Sequence, residues 1–300
     1  MGAASERHWP RLMTALVTPF DDDLGVDAGA AADLAESLVT RGAPGIVLAG
    51  TTGESASLSA GERLDLCAAV RARLGSRGTV VLNVGTNDTR SSVKLAAAAQ
   101  EAGADGVMLV VPYYNRPPQD GLRAHFGTVA QATSLPVMLY NVPSRTACNL
   151  LPATLAAIVA EHPNVVAVKE ATADLEQVAE SLRRLPSPFL LYSGDDPHTL
   201  PVMAMGGYGV VSVASHLVPE RMAALVEALA VGDTVTARRL HLELGPLFRA
   251  LFLTTNPIPV KALLQMAGVR VGGFRLPLCP PTPAELAQLR AIAADFGLAR

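Results

Sequence analysis

Short apolar runs recur along this chain at intervals that each leave room for one helix, and that repetition narrows the possible folds more than any other feature. The runs fall at residues 13–17, 45–49, 79–83, 106–111, 136–140, 164–169, 189–193 and 209–213. The run that ends at Lys169 is too apolar to alternate, which suits a strand covered on both faces of a parallel sheet. Helical patterns intervene at 27–40, 91–101, 119–133, 174–185 and 197–205, and another opens near Pro219. Eight such units in roughly 230 residues match the size of an α/β protein of the (β/α)8 TIM barrel type. An open doubly wound sheet is the alternative. From Gly232 the strand signal stops, and 233–253, 257–267 and 283–297 read as helices separated by Pro- and Gly-rich turns. The expected organisation is a catalytic barrel over 1–231 and a C-terminal three-helix region over 232–300.

With 300 residues, half of them apolar and 17% charged, the chain can bury a large core, as a compact soluble enzyme does. A net charge of −3 and the lack of any Lys/Arg run point away from nucleic acid and anionic membranes and toward a small ligand. Cys67, Cys148 and Cys279 form no CxxC pair, which argues against a disulfide framework or a structural zinc site. Residues 1–10 hold no apolar signal core and no run approaches the length of a membrane span, so a cytoplasmic enzyme is expected.

In a barrel, the residues just after each strand converge on one mouth. Here they are Gly50-Thr51-Thr52-Gly53-Glu54-Ser55, Pro112-Tyr113-Tyr114-Asn115-Arg116-Pro117, Tyr140-Asn141-Val142-Pro143-Ser144-Arg145-Thr146, Lys169 and Ser193-Gly194-Asp195-Asp196. A lysine held in a protein interior is biased toward the neutral amine, which can attack a ketone and form a Schiff base. Proton transfers around the imine need a relay, which Tyr140, Thr51 and one of the tandem tyrosines offer. Thr52 and Arg145 suit a substrate carboxylate. Asp195 and Asp196 read as caps of the helix opened by Pro197. Gly53-Glu54-Ser55 lacks the Lys of a phosphate-binding loop, and His125, His198 and His216 lack metal-ligand spacing, so no nucleotide or metal is implied.

These motifs, together with Lys169-Glu170-Ala171-Thr172 and Asn256-Pro257-Ile258-Pro259-Val260-Lys261, resemble the dihydrodipicolinate synthase (4-hydroxy-tetrahydrodipicolinate synthase) family of pyruvate-dependent class I aldolases and lyases. The likeness covers nearly the whole chain. It implies that Lys169 forms the imine with pyruvate, that Tyr140, Thr51 and Tyr114 make the relay with Tyr114 reaching a neighbouring subunit's site, and that Thr52 holds the pyruvate carboxylate. It implies further that Arg145 binds the carboxylate of aspartate semialdehyde, that backbone groups of Gly194 and Val211 line the pocket, that no cofactor is needed, and that the assembly is a homotetramer. Sialic acid lyases and ketodeoxysugar aldolases share the lysine and the strand-five tyrosine. Arg145 and the Tyr113-Tyr114 pair favour the synthase, and a catalytically silent homologue is a further alternative. The stretch Leu82-Asn83-Val84-Gly85-Thr86-Asn87 departs from the family's more usual Gly-Thr-Gly pattern, which touches strand three and the regulatory cleft and not the expected catalytic set. In feedback-sensitive relatives lysine meets a glutamate and histidines in a cleft between subunits. The aligned positions here are Ser91, Ala60 and Arg63, while Asn87, Ser55 and Tyr113 remain; Arg63 repels a cationic ligand if it points inward, the alternative being a solvated helix arginine.

Overall fold

The computed structural model describes residues 9–298, and among these eight parallel strands pair in sequence order and close into a barrel. They are β1 (Leu12–Ala15), β2 (Gly45–Leu48), β3 (Thr79–Asn83), β4 (Gly106–Val110), β5 (Val137–Asn141), β6 (Val165–Glu170), β7 (Leu190–Ser193) and β8 (Gly209–Ser212). The last returns to the first, with Leu12, Met13 and Thr14 opposite Val210, Val211 and Ser212. That closure makes the fold a TIM barrel and excludes the open sheet.

The helices around the barrel are α1 (Ala28–Thr40), α2 (Ala60–Leu74), α3 (Thr89–Ala99), α4 (Gln119–Gln131), the single turn α5 (Pro143–Thr146), α6 (Pro152–Glu161), α7 (Leu175–Arg184), α8 (Thr199–Ala204) and α9 (Pro219–Ala230). Asp27, Asp88 and Asp174 accept backbone N–H groups at the starts of α1, α3 and α7, and Ser59 with Glu62 forms a capping box on α2. Beyond the barrel, α10 (Thr234–Ala250) packs on α9, and α11 (Ile258–Met266) packs on α12 (Pro283–Asp295). Among the described residues no helix is long and apolar enough to cross a membrane.

Strand periodicity sorts the core into two shells. Met13, Val47, Val81, Met108, Met138, Ala167, Tyr192 and Val211 fill the barrel interior, while Leu12, Ile46, Val80, Val107, Leu139 and Val168 face the helices. Between β5 and β6 the pairing runs Val137 with Val165 and then Met138 with Ala167, so Val166 is an extra, bulged residue. After that bulge Ala167 points inward, and Lys169, two residues on, does the same.

Asp196 departs from the capping expected of it. Its buried carboxylate instead accepts from Ser212 Oγ at 2.5 Å and from the N–H groups of Val213 and Ala214 at 2.9 Å, tying the end of β7 to the end of β8. Asp195 precedes the same turn without capping it through its side chain.

Candidate active site

Lys169 and Tyr140 are opposite one another across the β5–β6 pair, at the carboxyl end of the lumen. The lysine is 5% exposed, and its Nζ lies 4.4 Å from the centre of the Tyr140 ring. Above them opens a cavity of about 500 Å³, lined by Thr51, Thr52, Ser144, Arg145, Gly194 and Asp195 together with both of those residues. A second space of about 340 Å³ adjoins it, sharing Thr51, Tyr140, Arg145 and Asn256 and adding Asn83 and Tyr113.

The turn that carries Thr51 and Thr52 is held from behind. Gly53 packs so close that a Cβ there would meet the carbonyl oxygen of Leu16 at 3.0 Å, and Thr18 Oγ1 donates to the Gly53 carbonyl at 2.7 Å. Glu54, with φ of 54°, is buried and accepts from Lys261 Nζ at 2.9 Å and from Arg275 N at 3.2 Å. Lys261 also donates to the carbonyls of Thr18 and Gly273, which occupies all three protons of its ammonium. Burial pulls its pKa down and the Glu54 carboxylate opposes that pull. A lysine so engaged anchors α11 to the catalytic turn, whereas Lys169 presents its amine to the cavity.

Asn256, just before α11, donates through Nδ2 to Thr52 Oγ1 at 3.0 Å, which leaves the threonine's own O–H proton for a bound acceptor. Arg145 Nη2 comes within 3.5 Å of the Asn256 carbonyl. On the outer side of β6, Glu170 accepts from Asn141 Nδ2 at 3.1 Å and from Thr172 N at 3.0 Å, with burial raising its pKa, and so fixes the strand end next to Lys169.

Two expected site residues do not line this chain's own cavity with their side chains. Val211 is wholly buried in the interior layer beneath the cavity, and the wall there is formed by Val213, past the end of β8. Tyr114 is 91% exposed with φ of 74°, while its neighbour Tyr113 lines the second space. Asn83 follows Val81 by one strand period, so it points inward, and the departure in β3 lines the adjoining space of about 340 Å³. Its Nδ2 donates to the Ala49 carbonyl at 2.8 Å. The place of Asn83 could have been found by carrying the period-two count from Val81 to the last residue of β3, and that of Asn256 by reading the motif before α11 as part of the mouth.

The model of the Dihydrodipicolinate synthetase family matches residues 8–295. The chain belongs to this family. A curated relative from Moorella thermoacetica, named 4-hydroxy-tetrahydrodipicolinate synthase, is 49% identical over 97% of this chain and 99% of its own. One of the same name from Synechocystis is also 49% identical, over 96% and 95%. The crystal structure of dihydrodipicolinate synthase from Aquifex aeolicus superposes with a TM-score of 0.95 at 40% identity, covering 97% of this chain and 99% of that one. The Cyanidioschyzon merolae enzyme, solved with lysine bound, superposes with a TM-score of 0.94 at 42% identity, covering 97% and 99%. A chain of this family with the lysine and tyrosine in place is a lyase.

Proposed function

We propose that this chain condenses pyruvate with L-aspartate 4-semialdehyde to give 4-hydroxy-tetrahydrodipicolinate, by way of an imine on Lys169. The observation that carries the reading is a buried lysine amine set over Tyr140, beneath a cavity that also holds Thr51, Thr52 and Arg145. The amine attacks the pyruvate ketone, water leaves the carbinolamine, and loss of a methyl proton gives the enamine. Tyr140 and Thr51 move these protons, joined by Tyr114 from a neighbouring subunit, where its exposure in the single chain leaves it free to reach. Thr52 donates to the pyruvate carboxylate, backbone groups of Gly194 and Val211 complete that end of the pocket, and Arg145 takes the carboxylate of the aldehyde.

The enamine carbon bonds to the aldehyde carbon, and the substrate's amine then attacks the imine carbon and releases Lys169 on ring closure. The protonated imine draws electrons from the reacting carbon, so the chemistry needs neither a metal nor a redox cofactor. We place the enzyme in the cytoplasm as a homotetramer built of two dimers, with residues 1–231 carrying the barrel and 232–300 completing the mouth. Arg145 favours the aspartate-derived aldehyde over the uncharged chains that a ketodeoxysugar aldolase or N-acetylneuraminate lyase handles. We further propose that lysine binds it weakly at most.

Incubation with pyruvate and sodium borohydride tests the imine. A reduced pyruvyl adduct is expected on Lys169 and is expected to vanish in Lys169→Ala, because among the described residues no other amine stands over Tyr140. An adduct mapped to Lys94 or Lys261 would overturn the assignment.

A further inference from the structure

The cavity above Lys169 is lined by two arginines, Arg145 and Arg249, and by a single acid among the described residues, Asp195. We infer that Asp195, positioned by His198, receives the ammonium group of the second substrate and so selects an α-amino aldehyde over one without the amine. The inference rests on the condensation proposed above. An aldehyde that carries both a carboxylate and an ammonium asks for two opposite receptors in one cavity. The arginines can serve only the carboxylate, since a guanidinium has donors and no acceptor.

Asp195 is built to hold its place. Its backbone carbonyl accepts from Ser193 Oγ at 2.8 Å and its N–H donates back to the same oxygen at 3.3 Å. His198 Nδ1 sits 3.2 Å from Oδ2, which leaves Oδ1 as the acceptor for a ligand. A second acceptor lies on the same cavity wall: the amide oxygen of Asn256, in a residue only 5% exposed, has no hydrogen-bond partner among the described residues. A buried acceptor left open in this way is costly unless something donates to it, and an ammonium has three protons to give.

The test compares L-aspartate 4-semialdehyde with succinate semialdehyde, the same skeleton lacking the amine, whose adduct leaves Lys169 by hydrolysis of the imine in place of ring closure, by following pyruvate consumption in the full-length enzyme. For Asp195→Asn the ratio of kcat/KM values, amine substrate over deaminated one, is expected to fall at least tenfold, chiefly through KM for the amine substrate. His198→Asn should move the ratio the same way by a smaller factor, as a positioning residue does. Borohydride trapping of pyruvate on each variant reports whether the cavity still assembles. An equal loss on both aldehydes, or an unchanged ratio, would overturn the inference. A wild-type enzyme with no preference for the amine substrate would instead overturn the proposed condensation on which it rests.

Discussion

Arg145 stands at the cavity mouth, exposed on one side, and its partner in catalysis would be the carboxylate of the second substrate alone. Arg145→Ala should therefore leave the borohydride-trapped pyruvate adduct intact. It should lower kcat/KM for the aldehyde by about ten- to a hundredfold, since a charge-assisted hydrogen bond at a partly wet site contributes about 1.5–3 kcal/mol. An unchanged aldehyde dependence would move the assignment to an uncharged sugar chain. Lys169, Tyr140, Thr51 and Thr52 were legible in the sequence because each sits within a few residues of an apolar run, and the barrel rule converts that adjacency into convergence. Asn256 was legible only as part of a motif. It comes from a segment with no strand before it, and nothing local tells that its amide will meet Thr52 from 204 positions away. Arg63 had two places open to it, and the structure takes the inward one: it is 5% exposed and donates to the Ser55 carbonyl at 2.7 Å, because the β2–α2 loop folds back over it.

At the scale of elements, the barrel's seam is closed by a histidine that the sequence marked only as lacking metal-ligand spacing. His216, in the turn after β8, accepts the Val17 N–H at Nε2 (3.1 Å), so the ring proton sits on Nδ1 and is donated to the Val213 carbonyl at 2.9 Å. Burial pushes its pKa down to about 4 from 6.5, the Val213 bond opposing, and protonation would set a second N–H against that of Val17. The sign follows: between these values the unfolded chain binds the proton and the folded one does not. The contribution of the neutral ring is therefore whole above about pH 6.5 and is lost as pH falls toward 4, amounting to about 3 kcal/mol over that window. Thermal midpoints of the wild type should fall between pH 7 and 4.5 more steeply than those of His216→Gln, and parallel slopes would remove His216 from the acid sensitivity. The eight strands were legible to within about two residues because both-face burial gives runs that need no partner information. The bounds of α2 and α6 were not, since α2 buries Arg63 among its apolar positions and α6 follows a one-turn helix that breaks the period.

For the whole molecule, the exposed Tyr114 makes a subunit-level prediction. If it serves the neighbouring site, co-expressed Tyr114→Phe and Lys169→Ala chains should regain about a quarter of wild-type activity: half the dimers are mixed, and each has one intact site. No recovery would return Tyr114 to its own subunit or remove it from the relay. Assembly also bears on regulation by lysine. At the positions that the family resemblance aligns with the effector's glutamate and histidine contacts stand Ser91, Ala60 and Arg63. Ser91 donates its hydroxyl to Asp88 Oδ2 at 2.6 Å while Asp88 caps α3, so that oxygen pair is already committed to the helix start. Arg63 brings a buried guanidinium whose Nε and Nη1 have no hydrogen-bond partner among the described residues, and by the same alignment it sets a positive charge where the relatives carry a histidine. Loss of one charge-assisted bond of roughly 1.5–3 kcal/mol weakens binding by about one to two orders of magnitude, and the arginine adds repulsion. Calorimetric titration with L-lysine should show no sub-millimolar binding and steady-state rates should hold at that concentration. Strong inhibition there would mean that another carboxylate, with Asp88 the first to mutate, receives the effector's α-ammonium.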